Sequence, residues 1–353
     1  MIETSGSATL RYPLDGAPAA GGALQVLPGI HWLRMPLPFK LNHVNLWVLE
    51  DGNGLTLVDS GLGTDVTRGL WLKALATSLP QMPVKRLLVT HHHPDHSGLA
   101  GWLSTEHGVP LLMAPDEYAA VRSRQEQMRG FDVRSLEAQF SRHGMGAVAS
   151  RALLEQGDSR TVWATLPPSF TPLAEGDSIE IGSHSWRVII GQGHAPEHVS
   201  LYSRSADALI SGDMVLPQIS PNIGCYQSRG DDNPLALFLS SVNRLAQLPA
   251  ETLVLPSHGR PFYGLQARVA QLDRHHEDRC RAMLDALDTP RSASELLEVL
   301  FGGDLDALQT VLAMCETVAH LTYVEQRGDA RRIMGSDGMI RYVAVPSRVS
   351  QGP

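Results

Sequence analysis

The sequence has 353 residues, of which 43% are hydrophobic and 19% charged, with a formal net charge of -8 at pH 7. This composition can bury a substantial core, which excludes wholesale disorder, and the length suggests one large domain plus a smaller one. The acidic balance is ill suited to nucleic acid or to an anionic membrane surface.

Residues 1–23 are rich in Gly, Ala and Pro and are expected to form a loose leader without the apolar segment of a secretory signal. From 24 to 61, short apolar runs bounded by Gly and Asn-Gly turns predict strands. A helix is expected near 64–79, and VKRLLVT (84–90) is a buried strand that ends directly in HHHPDH. The segment 96–108 reads as a helix with Leu99, Trp102 and Leu103 on one face, and 109–115 as another strand. Residues 116–160 lose the β-branched runs and gain Arg, Glu and Gln, with Tyr118, Val121, Leu136 and Phe140 at helical spacing; this predicts a helical insertion. Strands resume over 178–214, followed by a helix near 233–247, a strand at 252–259 and a long helix from about 265. Strands and helices in this order mean a layered α/β protein.

After about 275 the pattern shifts. Residues 292–302 and 304–321 are two amphipathic helices, and TYVEQR with MIRYVAV predict a β-hairpin. Helix, helix, hairpin is the outline of a small winged-helix-like domain over 273–345, with 346–353 as a tail. Cys225, Cys280 and Cys315 form no C-x-x-C pair, which fits a reducing compartment and, with no apolar run of about 18 residues, a soluble cytoplasmic protein.

The densest chemistry is His91-His92-His93-Pro94-Asp95-His96. Residues 91 and 93 leave a strand end on one face, because strand side chains alternate, so their imidazoles can share a cation. Pro94 turns the chain, and Asp95 and His96 open a helix from which they can reach a second ion. Three more strand ends add Gly193-His194, Gly212-Asp213 and His258-Gly259. Imidazole and carboxylate without thiolate suit Zn²⁺, Fe²⁺ or Mn²⁺, with Zn²⁺ the first expectation. His92 should point to the opposite face and pack; His198, in HAPEH, is a structural or hydrogen-bonding neighbour.

H-x-H-x-D-H followed by G-H, G-D and H-G resembles the metallo-β-lactamase superfamily, over roughly residues 24–272. The resemblance implies a four-layer αβ/βα sandwich with two metal ions at one edge of the paired sheets. By the same resemblance one ion takes His91, His93 and His194, the other Asp95, His96 and His258, and Asp213 bridges both. Asp59, in VDSG, matches the family's aspartate behind the site and is expected to orient a ligand. Position 93 is His where the di-iron flavoprotein branch carries Glu, so a redox role is disfavoured.

Two ions would lower the pKa of a bridging water and hold a hydroxide for attack on a carbonyl, so no Ser or Cys nucleophile is required. Cys225 reads as structural. Asp95 is a catalytic candidate as well as a ligand, and Tyr226, in the loop after Asp213, is a candidate for oxyanion stabilisation. The expected substrate is a thioester or activated ester of a small or CoA-type acyl group, in the manner of glyoxalase-II-like and β-lactamase-like protein 2-like hydrolases. Arg122, Arg124, Arg129, Arg134, Arg142, Arg151 and Arg160 in the insertion either form an anionic pocket or a solvated face balanced by acids. A lactonase would use the same site. A ribonuclease would need basic surface, and 304–321 contains no Lys or Arg, so nucleic acid is not an expected partner. The apolar side of that helix is suited to packing on the main domain or on a second copy in a homodimer, and a membrane is not expected.

Overall fold

The computed structural model describes residues 10–127, 133–147, 149–151, 164–225 and 233–346. Alternation and tight turns make the first part of the chain a meander. Strands β1 (Ala23–Leu27), β2 (Ile30–Pro36), β3 (His43–Asp51) and β4 (Gly54–Val58) pair antiparallel in sequence order. Helical crossovers then permit parallel pairing, and β5 (Val84–Leu88), β6 (Leu111–Met113) and β7 (Thr171–Pro172) extend the meander into a 7-stranded sheet. A second sheet of five strands holds β8 (Ser178–Ile181), β9 (His184–Gly191), β10 (His198–Ser203), β11 (Ala208–Gly212) and β12 (Leu253–Pro256), in spatial order β12-β11-β10-β9-β8.

The sheets face each other across a core of Trp32, Trp47, Trp186, Val188, Leu201 and Ile210. Each of these indoles, fully buried, contributes roughly 4–6 kcal/mol of hydrophobic stabilisation before the cost of ordering. The outer face of the first sheet is covered by α1 (Asp65–Lys73), α3 (Ala100–His107) and α4 (Pro115–Gln127), through Trp71, Leu103 and Val121. Thr64 caps α1 by accepting from the Thr67 N–H, and the helix runs on through a π turn, Ala74–Ser78. The short α2 (Pro94–Ser97) precedes α3. The outer face of the second sheet is covered by α6 (Pro234–Leu245), capped by Asn233, and α7 (Leu265–Ala286). The result is the expected four-layer αβ/βα sandwich. Of the insertion, α4 and α5 (Val133–Arg142) are described as helices; Arg129 and Arg160 lie outside the described residues.

The C-terminal unit contains α8 (Leu297–Phe301), α9 (Ala307–Gln326), and a hairpin of β13 (Ala330–Met334) and β14 (Ile340–Ala344). It shares one apolar cluster with α6 and α7: Met314, Val318, Leu321 and Tyr342 continue the core of Phe238, Val242 and Val269. The apolar side of α9 is thus used against the main domain.

Three expectations are corrected. TYVEQR is not a strand but the last turns of α9, and the hairpin begins at Ala330. Residues 10–14 are not loose: Arg11 exchanges two backbone hydrogen bonds with Tyr263, and Arg260 lies over the Tyr12 ring and donates to the Leu14 carbonyl. The boundary expected between 272 and 273 falls inside α7, an unbroken helix of 22 residues.

Candidate metal centre

Every residue of the expected constellation except Tyr226, which lies outside the described residues, converges at one edge of the sandwich. Asp59 follows β4, the 91–96 cluster follows β5, His194 follows β9, Asp213 follows β11 and His258 follows β12. The two sheets are tied together at this edge. The Val199 N–H donates to the Thr90 carbonyl (2.8 Å), and the Asn45 N–H to the Ser257 carbonyl (2.7 Å). Close approach explains the glycines beside the ligands. A Cβ on Gly212 (φ +52) would strike the His198 ring, and one on Gly193 (φ +99) the Pro234 carbonyl.

Two groups of donor atoms face each other. In the first, His91 Nε2 lies 2.9 Å from His93 Nδ1 and 3.3 Å from His194 Nε2, and Asp213 Oδ2 lies 3.4 Å from His194 Nε2. In the second, Asp95 Oδ2 is 3.5 Å from both His96 Nε2 and His258 Nε2. Asp213 Oδ1 completes it, 3.5 Å from His96 Nε2 and 3.4 Å from His258 Nε2. A tetrahedral cation with ligands at about 2.0–2.1 Å separates them by about 3.3–3.4 Å. The second group, at 3.4–3.5 Å, lies within about 0.2 Å of that spacing, and the first, at 2.9–3.9 Å, brackets it. His96 Nε2 and Asp213 Oδ1 are moreover buried with no hydrogen-bond partner, which a cation facing them would resolve. The cluster suits divalent metal ions.

The rings are aimed by their second nitrogens. His96 Nδ1 meets Asp59 Oδ2 at 2.8 Å, His194 Nδ1 the Asn222 carbonyl at 2.8 Å, and His258 Nδ1 the His43 carbonyl at 2.8 Å. A proton on each Nδ1 leaves Nε2 with its lone pair. Asp59 also accepts from the Thr90 N–H (2.7 Å) and hydroxyl (2.9 Å), and Thr90 Oγ1 lies 3.0 Å from His91 Nδ1. Asp59 stands at φ 65, one of two non-glycine residues in the left-handed region among those described, a strained placement typical of functional positions. His92, expected to pack, is buried and engages Glu117 through both its ring and its N–H. His198 Nε2 accepts from the Asp213 N–H (3.0 Å).

Burial, then neighbouring imidazoles, push His91 and His93 far below the usual histidine range. Burial also opposes charge on His96, but Asp95, Asp213 and Asp59 outweigh it and raise that ring. Burial works against ionisation of Asp95 too, yet His96 and His258 hold its carboxyl down at about 2. With the Asp95 and Asp213 carboxylates held down, the site favours positive charge at its centre.

Thr90, Glu117, Asn222 and His43 were not singled out from sequence. Thr90 directly precedes a ligand, a usable signal; the others act from distant segments. A cleft of about 470 Å³ opens beside the first group, lined by His93, His194, Ala120, Arg124, Cys225 and Leu237 among others. Arg122 pairs with Glu126 and Arg151 with Glu137, whereas Arg124 belongs to the cleft wall. The Cys225 N–H donates to the Cys315 carbonyl, in keeping with a structural role.

Comparison with known proteins agrees with this geometry. The family model for the metallo-β-lactamase superfamily matches residues 40–258, and that for a metallo-β-lactamase-like C-terminal domain matches 280–345. A probable metallo-hydrolase of Bacillus subtilis, YqjP, is 27% identical over 302 residues, covering 83% of this chain and 91% of the relative. A hydroxyacylglutathione hydrolase of Hahella chejuensis is 24% identical over 227 residues, 64% of each chain. Among solved structures, a β-lactamase domain protein from Burkholderia ambifaria is 40% identical with a TM-score of 0.87, covering 95% of this chain and 98% of that one. A metallo-β-lactamase family protein from Thermus thermophilus is 32% identical with a TM-score of 0.75, covering 91% and 100%. With its sandwich, its ring of histidines and aspartates and these relatives, the chain belongs to the metallo-β-lactamase superfamily of metallo-hydrolases.

Proposed function

We propose that the protein is a dinuclear-metal-dependent hydrolase of thioesters or activated esters, in which His91, His93 and His194 hold one ion, Asp95, His96 and His258 the other, and Asp213 both. The observation that carries this reading is the Asp213 carboxylate, one oxygen turned to each donor group at 3.4 Å from a histidine Nε2. Two bound divalent cations, Zn²⁺ foremost, would supply activated water and polarise a carbonyl. The chain's own contribution is to fix the donor atoms. Asp59 and the His43 and Asn222 carbonyls set the tautomers, and His198 holds the Asp213 backbone. Asp95, held ionised by His96 and His258, acts as a ligand of the second group and as its catalytic carboxylate. The cleft supports a small acyl substrate, and Arg124 in its wall supports an anionic leaving group such as a CoA or glutathione thiol.

The relative whose name specifies hydroxyacylglutathione supports thioesters over other esters. Nucleic acid is disfavoured because α9, the helix a winged-helix reader would use, is buried over most of Val311–Leu321 and has no Lys or Arg. The test is thiol release from acyl-CoA and acyl-glutathione by zinc-loaded protein, with His93→Ala as control. Turnover that vanishes in the variant supports the reading. Hydrolysis of lactones but not thioesters would move the substrate class, and cleavage of RNA alone would refute it.

A further inference from the structure

After Asp213 the chain leaves the site and returns beneath His194 as the loop 214–225. The C-terminal third of the protein grips this loop through five of its residues. Arg268 on α7 donates to the carbonyls of Leu216 (2.5 Å) and Ile219 (2.9 Å). Ser220 Oγ lies 3.1 Å from His276 Nε2 on the same helix. On α9, Asn222 Nδ2 donates to Glu316 Oε2 (3.1 Å) and the Leu312 carbonyl (3.3 Å), and the Cys315 carbonyl accepts from the Cys225 N–H (3.2 Å). The carbonyl of that same Asn222 faces His194 Nδ1 at 2.8 Å.

Glu316 is costly where it stands. It is 8% exposed, in a stretch of α9 whose neighbours Val311, Met314, Val318 and Leu321 are core. A carboxylate loses its hydration there unless its partners replace it. Its partners are Asn222 and, at 3.6 Å, Arg279 of α7. A leucine would fill the volume at lower cost, so packing does not explain a glutamate. An acceptor aimed at the Asn222 side-chain amide does, because it anchors the residue whose backbone carbonyl faces His194 Nδ1.

We infer that Glu316, in the C-terminal unit, is a positioning residue for the metal centre: by holding Asn222 it aims the carbonyl that keeps the proton on His194 Nδ1 and turns Nε2 towards His91 and Asp213. The inference rests on the metal-centre reading above. The C-terminal unit then completes the site, although it supplies none of the seven donors.

The test uses the full chain, stripped of metal and titrated with Co²⁺, read by visible absorbance and by competition with a chelator. Glu316→Ala is expected to weaken binding by up to about the 10–100-fold that follows loss of a direct partner of a metal-bound histidine, and to alter the absorbance. Glu316→Gln, whose amide oxygen still accepts from Asn222, is expected to restore most of the affinity. Asn222→Ala, which leaves α9 intact, should weaken binding to the same degree as Glu316→Ala. Leu321→Ala, a core truncation on the same helix, should lower Tm and leave Co²⁺ affinity unchanged. The inference is overturned if Glu316→Ala and Asn222→Ala bind Co²⁺ like the parent, or if Leu321→Ala loses as much affinity as they do. A parent chain that takes up no Co²⁺ would overturn the metal-centre reading itself.

Discussion

Replacing Asp59 by Asn separates charge and tautomer from shape. Asn tolerates the left-handed backbone at φ 65 that most residues resist, so the turn should survive. The Thr90 N–H, 2.7 Å from Oδ1, is a donor that cannot be reversed and demands the amide oxygen. The amide NH₂ must then take the place of Oδ2, 2.8 Å from His96 Nδ1. That ring now has to accept at Nδ1 and carry its proton on Nε2, the atom turned to Asp95 and Asp213. Affinity at the second donor group should fall about 10–100-fold, equivalent to about 1.4–2.7 kcal/mol, while the first group keeps its partners. Zinc binding to the two sites, resolved by competition with a graded set of chelators and with folding checked by circular dichroism, gives the answer. A folded Asp59→Asn protein whose affinity for zinc matches the parent's would refute the tautomer argument.

Removing metal should abolish turnover and lower Tm together. Ions present at about a thousand times their dissociation constant stabilise by about 4 kcal/mol, and calorimetry with and without zinc would expose an unchanged Tm as a failure. Gly212→Ala must push aside the His198 ring and adopt a left-handed φ, costing about 2–5 kcal/mol from strain and from the Asp213 N–H left without its acceptor; Gly69→Ala, in open space on α1, should instead be neutral or stabilising by up to about 1 kcal/mol in urea denaturation. Burial, helped by Arg332 and Arg142, lowers His143 to about 4, so the unfolded chain takes up the proton first. Its contribution to stability is complete above about pH 6.5 and is lost as pH falls from there towards 4, with a limiting slope of about 1.4 kcal/mol per unit. Metal-free His143→Gln should show a shallower loss of Tm over that window than the metal-free parent, and equal slopes would count against the assignment.

The sandwich and the donor set were legible because they depend on patterns local to strand ends. The strand VKRLL, buried at Val84, Leu87 and Leu88, delivers its histidines, and Gly-flanked His or Asp marks three more edges. Asn222, Glu117 and His43 were not legible, since the partners they meet at the site lie at least 25 residues away. TYVEQR misled because Thr, Tyr and Val favour strands. The helical phase of Val311, Met314, Val318 and Leu321 nevertheless continues to Val324, all buried, and tertiary packing decided. Arg11 and Tyr12 looked like part of a leader because nothing in their neighbourhood announces Tyr263 and Arg260, the aromatic and the guanidinium they meet.

The two backbone bonds that join the sheets, Val199 to Thr90 and Asn45 to Ser257, have a kinetic meaning. Donor groups drawn from residues 91 to 258 belong to opposite halves of the sandwich, and neither half can assemble a complete set. Closing so long a segment is entropically expensive and slow. Coordination therefore waits for the halves to dock, and a cation captured there makes their separation the slow step of unfolding. Resistance of the chain to proteolysis would then track metal supply more closely than the size of its core.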